Sequence, residues 1–159
     1  MMKIKILVMD VDGTLTDGSI YIGTQGETMK VFNAKDGYAI ANLLPKKGIE
    51  PIIITGRKSQ IVAKRAEELK IKKLYQGIQN KQGLLEKIMK ECQVQSSEIA
   101  YIGDDLNDID CIRFCGLSAC PQDAVEEVKL IADYVCKNCG GKGAVREFIE
   151  YITDENMNY

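Results

Sequence analysis

Residues 6 to 18 run Ile-Leu-Val-Met-Asp-Val-Asp-Gly-Thr-Leu-Thr-Asp-Gly, an apolar stretch of strand length that ends in two carboxylates and then a glycine turn. Side chains alternate along an extended chain, so Asp10 and Asp12, two apart, turn to the same side. Two anions that close share a site only with a cation or with a proton between them. Oxygen donors recur downstream. Thr55 follows the apolar Ile52-Ile53-Ile54, and Asp104, Asp105 and Asp108 stand in Gly-Asp-Asp-Leu-Asn-Asp after Ile99-Ala100-Tyr101-Ile102. Acids at a helix start can serve its positive end, but three carboxylates within five residues exceed what a cap needs and suit a metal ion held by oxygen. The chain has no histidine, which excludes Ser-His-Asp triads, zinc-histidine centres and imidazole acid-base catalysis. Carboxylates and lysine are left to move protons and balance charge.

Apolar strand-like runs recur at 4 to 9, 51 to 54, 99 to 102 and 117 to 119, with a weaker one at 133 to 136. Helical patterns alternate with them. The segment 59 to 70 opens on Ser59 as an N-cap and places Ile61, Val62, Ala66 and Leu69 on one face. The segment 80 to 92 opens on Asn80 and carries Leu84, Leu85, Ile88 and Met89 at helical spacing, and 36 to 47 and 143 to 153 also predict helices. Strand-helix alternation predicts an α/β fold with a single Rossmann-like parallel sheet covered by helices on both faces. In such sheets ligands bind outside the carboxyl ends of the strands, where Asp10, Thr55 and Asp104 all fall. One segment breaks the pattern: two short β-rich runs around Gly23-Thr24-Gln25-Gly26 predict a hairpin flap over about 19 to 32, overhanging the acidic turn. No interval is long enough for another domain, so residues 1 to 159 predict one capless domain with a C-terminal tail from about 138 to 159.

The 21 basic and 23 acidic residues nearly cancel, and no basic stretch follows a phosphate backbone, so nucleic acid is not an expected partner. The longest apolar runs are far short of a membrane span, and Met1-Met2-Lys3 leads into a strand without a signal-peptide core; a cytoplasmic protein with no membrane partner is expected. Six cysteines, at 92, 111, 115, 120, 136 and 139, are expected to be reduced thiols filling small gaps. Cys136 and Cys139 have CxxC spacing, but a structural zinc site needs a second ligand pair.

Asp10-Val11-Asp12-Gly13-Thr14-Leu15, Ile52-Ile53-Ile54-Thr55-Gly56-Arg57, Lys81 and Gly103-Asp104-Asp105-Leu106-Asn107-Asp108 resemble, in order, the four motifs of the haloacid dehalogenase superfamily of phosphotransferases. Leu15-Thr16-Asp17-Gly18, Ile54-Thr55-Gly56-Arg57 and Gly140-Gly141-Lys142-Gly143-Ala144-Val145-Arg146-Glu147 are similar to the branch containing 3-deoxy-D-manno-octulosonate 8-phosphate phosphatase, which extends the resemblance over nearly the whole chain.

The resemblance implies catalytic roles for Asp10, Asp12, Thr55 and Lys81. Asp10 would be the nucleophile that forms an aspartyl-phosphate, and Asp12 the general acid and base. Thr55 and the backbone near it would hold phosphate oxygens, with Lys81 stabilising the transferring group. Mg²⁺ would be held by Asp10, Asp104 and the Asp12 carbonyl, with Asp105 and Asp108 acting through waters or by orienting neighbours. Arg57, beside Gly56, and Arg65, two helical turns on, could read a sugar-acid carboxylate bidentately or be solvated helix charges. Lys142 lies in a segment that resembles the family's lid over the substrate, flexible by its glycine composition; a plain helix-start loop is the alternative. The implied reaction is hydrolysis of an eight-carbon sugar-acid phosphate feeding surface polysaccharide synthesis. A nine-carbon 9-phosphate, a broad sugar phosphatase, an idle regulatory subunit and a phospho-accepting receiver domain are the rivals. The last places its acceptor after a central strand and not after the first. The apolar hairpin residues Ile20, Ile22, Met29, Val31 and Phe32 are too many for one small flap to hide and predict a homo-oligomer; the resemblance implies that such hairpins assemble around a symmetry axis, as a homotetramer with shared active sites.

Overall fold

The computed structural model describes residues 3–154; Met1, Met2 and the end of the tail, 155–159, lie outside them. Its centre is β1 (Ile6–Met9), wholly buried and paired in parallel with β4 (Glu50–Ile54) on one side and β6 (Ile99–Ile102) on the other. The sheet continues with β5 (Lys73–Tyr75) beyond β4, and with β7 (Leu117–Cys120) and β8 (Tyr134–Val135) beyond β6. All pairings are parallel and the order is β5-β4-β1-β6-β7-β8.

Both faces of this sheet are covered, which is why its inner strands read as unbroken apolar runs. Leu7, Met9, Ile53 and Ile102 face α3 (Gln60–Glu68) and α7 (Ala144–Thr153), where Val62, Ala66, Val145, Phe148 and Ile149 complete one core. Ile6, Val8, Ile52, Ile54 and Tyr101 face α4 (Lys81–Cys92), α5 (Ile109–Phe114) and α6 (Glu126–Lys129), meeting Leu85, Ile88, Ile112 and Val128. Phe148 is fully buried at the heart of the first core, so its truncation to Ala would cost about 3–5 kcal/mol.

The expected N-caps are present. The Val62 amide donates to Ser59 Oγ at 3.3 Å, and the Gly83 amide to Asn80 Oδ1 at 2.9 Å. The helix expected over 36 to 47 begins earlier and is not uniform. It comprises α1 (Ala34–Tyr38), a widened turn over Ala39–Leu43 and α2 (Leu44–Lys46). Pro45 accounts for the widening: its ring would clash with the carbonyl four residues back and it has no N–H to give. The Leu44 amide bonds instead to Ala39 O, five residues back.

Between β1 and α1 runs the hairpin of β2 (Tyr21–Gly23) and β3 (Gly26–Met29), an antiparallel pair separate from the main sheet. It displays Ile20, Ile22, Met29 and Val31 to solvent, whereas Phe32 at its base packs on the first core.

Candidate active site

Two neighbouring strands, β1 and β6, deliver the acids, and β4 delivers Thr55. Asp10 prolongs β1, its amide donating to Ile102 O at 3.1 Å. The chain then coils tightly, with the amides of Thr14, Leu15 and Thr16 all converging on Val11 O at 3.1, 2.9 and 3.1 Å. Gly13 makes this possible. Its φ is +90°, and a Cβ there would overlap the Asp104 carboxylate, so glycine is needed for both conformation and space. Thr14 Oγ1 donates to Asp104 Oδ1 at 3.2 Å. Carboxylate oxygens of Asp10, Asp104 and Asp108 lie within 4.8 Å of one another.

Lys81, the first residue of α4, is buried and donates to Asp10 Oδ1 and Asp108 Oδ1, both at 2.8 Å. Asp108 is saturated with donors. Tyr101 Oη also reaches Oδ1, at 2.5 Å, and Oδ2 accepts from the Asp104 and Asp105 amides at 3.0 and 3.2 Å. It therefore serves as a post that orients Lys81 and the Asp104 loop. Asp10 and Asp104 carry the strain of charge. Burial, then the charge of Asp108, raises Asp10 to about 6 against the pull of Lys81. Burial, then Asp10 and Asp108, raises Asp104 to about 8. Burial works to lower Lys81, but its two carboxylates outweigh that and hold it above the usual lysine range. Two buried acids and a partly buried third against one ammonium, all with oxygen donors, fit a hard divalent cation, whose charge would restore the balance.

Asp12 stands apart from that cluster. Its Oδ1 accepts from Lys30 Nζ at 2.5 Å, and Arg57 Nε lies 3.8 Å from Oδ2. Thr55 is buried at the end of β4. Next to it, a Cβ on Gly56 would come within 3.9 Å of Asn107 Nδ2, so the Thr-Gly-Arg loop faces the Gly-Asp-Asp loop.

Other residues are placed differently from one another. The Asp105 carboxylate caps its own turn, accepting from the Leu106 amide at 2.7 Å, and lies outside the acidic group. Arg65 does not accompany Arg57. It lies 5.5 Å from the Phe32 ring and pairs with Glu68 at 2.8 Å. The Lys142 segment rests on the acidic loop: the Gly141 amide donates to Thr14 O at 3.1 Å, and a Cβ on Gly140 would overlap Gly13 O. Its glycines thus serve close backbone approach, where composition predicts flexibility. Lys142 sits at the rim, adding its charge to the Ser19 donors that hold Asp17 below its usual range.

Motif and pattern alone assign no site role to Lys30, Tyr101 or Asn107. Tyr101 carries the one hydroxyl in an otherwise apolar strand, a usable signal. Lys30 reads as an ordinary charge on a hairpin strand, and nothing local marks it as inward.

The model of haloacid dehalogenase-like hydrolases matches residues 73–149. The 3-deoxy-D-manno-octulosonate 8-phosphate phosphatase KdsC of Escherichia coli (strain K12) is 42% identical over 150 residues, spanning 94% of this chain and 79% of that one. The crystal structure of the phosphatase of the same name from Yersinia pestis superposes with a TM-score of 0.91 at 42% identity, covering 95% of this chain and 81% of that one. That from Moraxella catarrhalis, solved in complex with magnesium, phosphate and KDO, gives 0.90 at 40% identity, covering 94% and 85%. With likeness of this extent across a fold whose central strands β1 and β6 deliver the acidic cluster, the chain belongs to the 3-deoxy-D-manno-octulosonate 8-phosphate phosphatase family of haloacid dehalogenase-like hydrolases.

Proposed function

We propose that this chain hydrolyses 3-deoxy-D-manno-octulosonate 8-phosphate to the free sugar acid and phosphate, with Mg²⁺ held by Asp10, Asp104 and the Asp12 backbone carbonyl. The observation that carries the reading is the clustering of Asp10, Asp104 and Asp108 at the carboxyl ends of β1 and β6, with Lys81 bonded to Asp10 and Asp108. The metal's part is to neutralise crowded anions and phosphoryl charge. Asp10 attacks phosphorus, forming an aspartyl-phosphate as the bond to the sugar oxygen breaks. Asp12 gives that oxygen its proton, then takes one from the water that attacks the aspartyl-phosphate and releases phosphate. Thr55 and Gly56 offer donors to the phosphoryl oxygens, and Lys81 both fixes Asp10 and stabilises the transferring charge. Arg57, half-exposed beside Asp12, is suited to a carboxylate of the substrate, as is Lys142 at the rim.

Residues 1 to 159 would form one domain working in the cytoplasm; among the described residues no helix is long and apolar enough to cross a membrane. The exposed Ile20, Ile22, Met29 and Val31 favour a homotetramer in which hairpins pack together and one subunit walls the next one's site. The deciding experiment is a panel of phosphorylated acids with Mg²⁺: kcat/KM should be at least about tenfold higher for the eight-carbon 8-phosphate than for a nine-carbon 9-phosphate or a hexose phosphate, a margin of roughly 1.4 kcal/mol. Preference for the nine-carbon acid would overturn the substrate assignment.

A further inference from the structure

A lysine whose side chain is 1% exposed is an unusual occupant of a small hairpin that otherwise turns apolar groups to solvent. Taking an ammonium out of water costs several kcal/mol unless it is fully paired, and Lys30 is paired twice, with Asp12 Oδ1 at 2.5 Å and Glu27 Oε1 at 2.8 Å. Glu27 is itself tied down, its Oε2 accepting from Ser59 Oγ at 2.6 Å. Ser59 caps α3, directly after the Thr55-Gly56-Arg57 loop. The chain of contacts Asp12–Lys30–Glu27–Ser59 thus fixes one carboxylate from two elements outside its own loop. Packing alone would be met more cheaply by an apolar side chain.

We propose that Lys30 is a positioning residue for proton transfer: by occupying Asp12 Oδ1 it fixes the rotation of that carboxylate and leaves Oδ2 as the oxygen that carries the proton. This rests on the reading of Asp12 as the general acid. In the first half-reaction the P–O bond to the sugar breaks, the proton passes from Asp12 Oδ2 to the leaving oxygen, and Asp12 is left as a carboxylate paired with Lys30. In the second, Oδ2 takes a proton from the attacking water while the Asp10–phosphate bond breaks. A carboxylate free to rotate would present its proton in the wrong direction much of the time, a loss of orientation that falls only on steps needing that proton.

The test compares kcat/KM, which reports steps through aspartyl-phosphate formation, for the sugar-acid phosphate and for p-nitrophenyl phosphate, whose phenolate leaves without a proton. Lys30→Met should lose about a hundredfold on the alkyl phosphate and less than about tenfold on the aryl one. Lys30→Arg should recover most of the difference. Should Lys30→Met fail to fold, Glu27→Gln, which keeps Lys30 but weakens its second anchor, should show the same selectivity at smaller size. Equal losses on both substrates in a folded variant, or no loss in either, would overturn the proposal. Wild type inactive on sugar-acid phosphates would instead refute the substrate reading, and the alkyl-to-aryl ratio would then be read on whichever alkyl phosphate it does turn over.

Discussion

Asp10 and Asp104 make opposite demands on a mutagenesis experiment. Asp10→Asn keeps the side chain's shape and an acceptor for Lys81, while removing an anion that burial and Asp108 already disfavour. Turnover should fall by at least about a hundredfold, with a thermal midpoint within a few degrees of wild type; both are read from one preparation. Asp104→Ala removes a carboxylate from the only acidic group of its kind among the described residues, and isothermal titration should show Mg²⁺ affinity weakened by at least about tenfold. EDTA should abolish wild-type activity and Mg²⁺ restore it. Cys136→Ser is the contrast: the thiol is buried, donates to Ala144 O at 3.5 Å and is pushed well above its usual range by burial first and Glu147 second. Its replacement should leave metal affinity unchanged. Metal dependence that survives in the Asp104 variant would mean the cation sits elsewhere.

α7 does more than cover the sheet. Its Glu147 reaches back to accept from the Lys137 and Asn138 amides at 2.8 and 3.0 Å and from Tyr134 Oη at 2.9 Å, fastening the segment that leads to the Gly140-Gly141 approach on the acidic loop. Burial works to raise this carboxyl, but those donors outweigh it and hold it below its usual range. A depressed acid contributes stability above its unfolded value of 4.5, and that stability is lost as pH falls through the lower folded value. Glu147→Gln should therefore cost roughly 1 kcal/mol at pH 7, with the gap closing in acid, as urea unfolding at both pH values would show. Elements differed in how plainly they could be read. β1, β4, β6 and β7 announce themselves because burial on both faces demands unbroken apolar runs, α3 and α4 because caps and periodicity agree, and α7 by its apolar periodicity alone. β5, Lys73–Tyr75, is short, half-buried and at the sheet edge, and α5 and α6 span six and four residues, too few for a period to develop. The acids of the site were legible because they sit in strand-terminal motifs. Lys30 was not, because its partner Asp12, and the Ser59 that ties down its other partner Glu27, lie far along the chain and only the folded hairpin brings them together.

Assembly is the property of the whole molecule most open to measurement. Ile22 is 64% exposed at the hairpin, and Ile20→Glu with Ile22→Glu would set charges against one another wherever hairpins meet. Light scattering should give four chains for the wild type and a smaller particle for the double variant, with activity falling in step; a fully active monomer in either case would rule out shared sites. The strand order carries a last consequence, for the time course of synthesis. β1 is made first, yet its partners begin at Glu50 and Ile99, so the most apolar strand of the sheet leaves the ribosome with neither edge covered and waits for most of the chain before the second is closed. Asp10, Thr55 and Asp104 belong to the same three strands. The phosphatase site is therefore born whole at the moment the sheet closes, and recovered activity during refolding should track the appearance of the complete sheet with no active partial form before it.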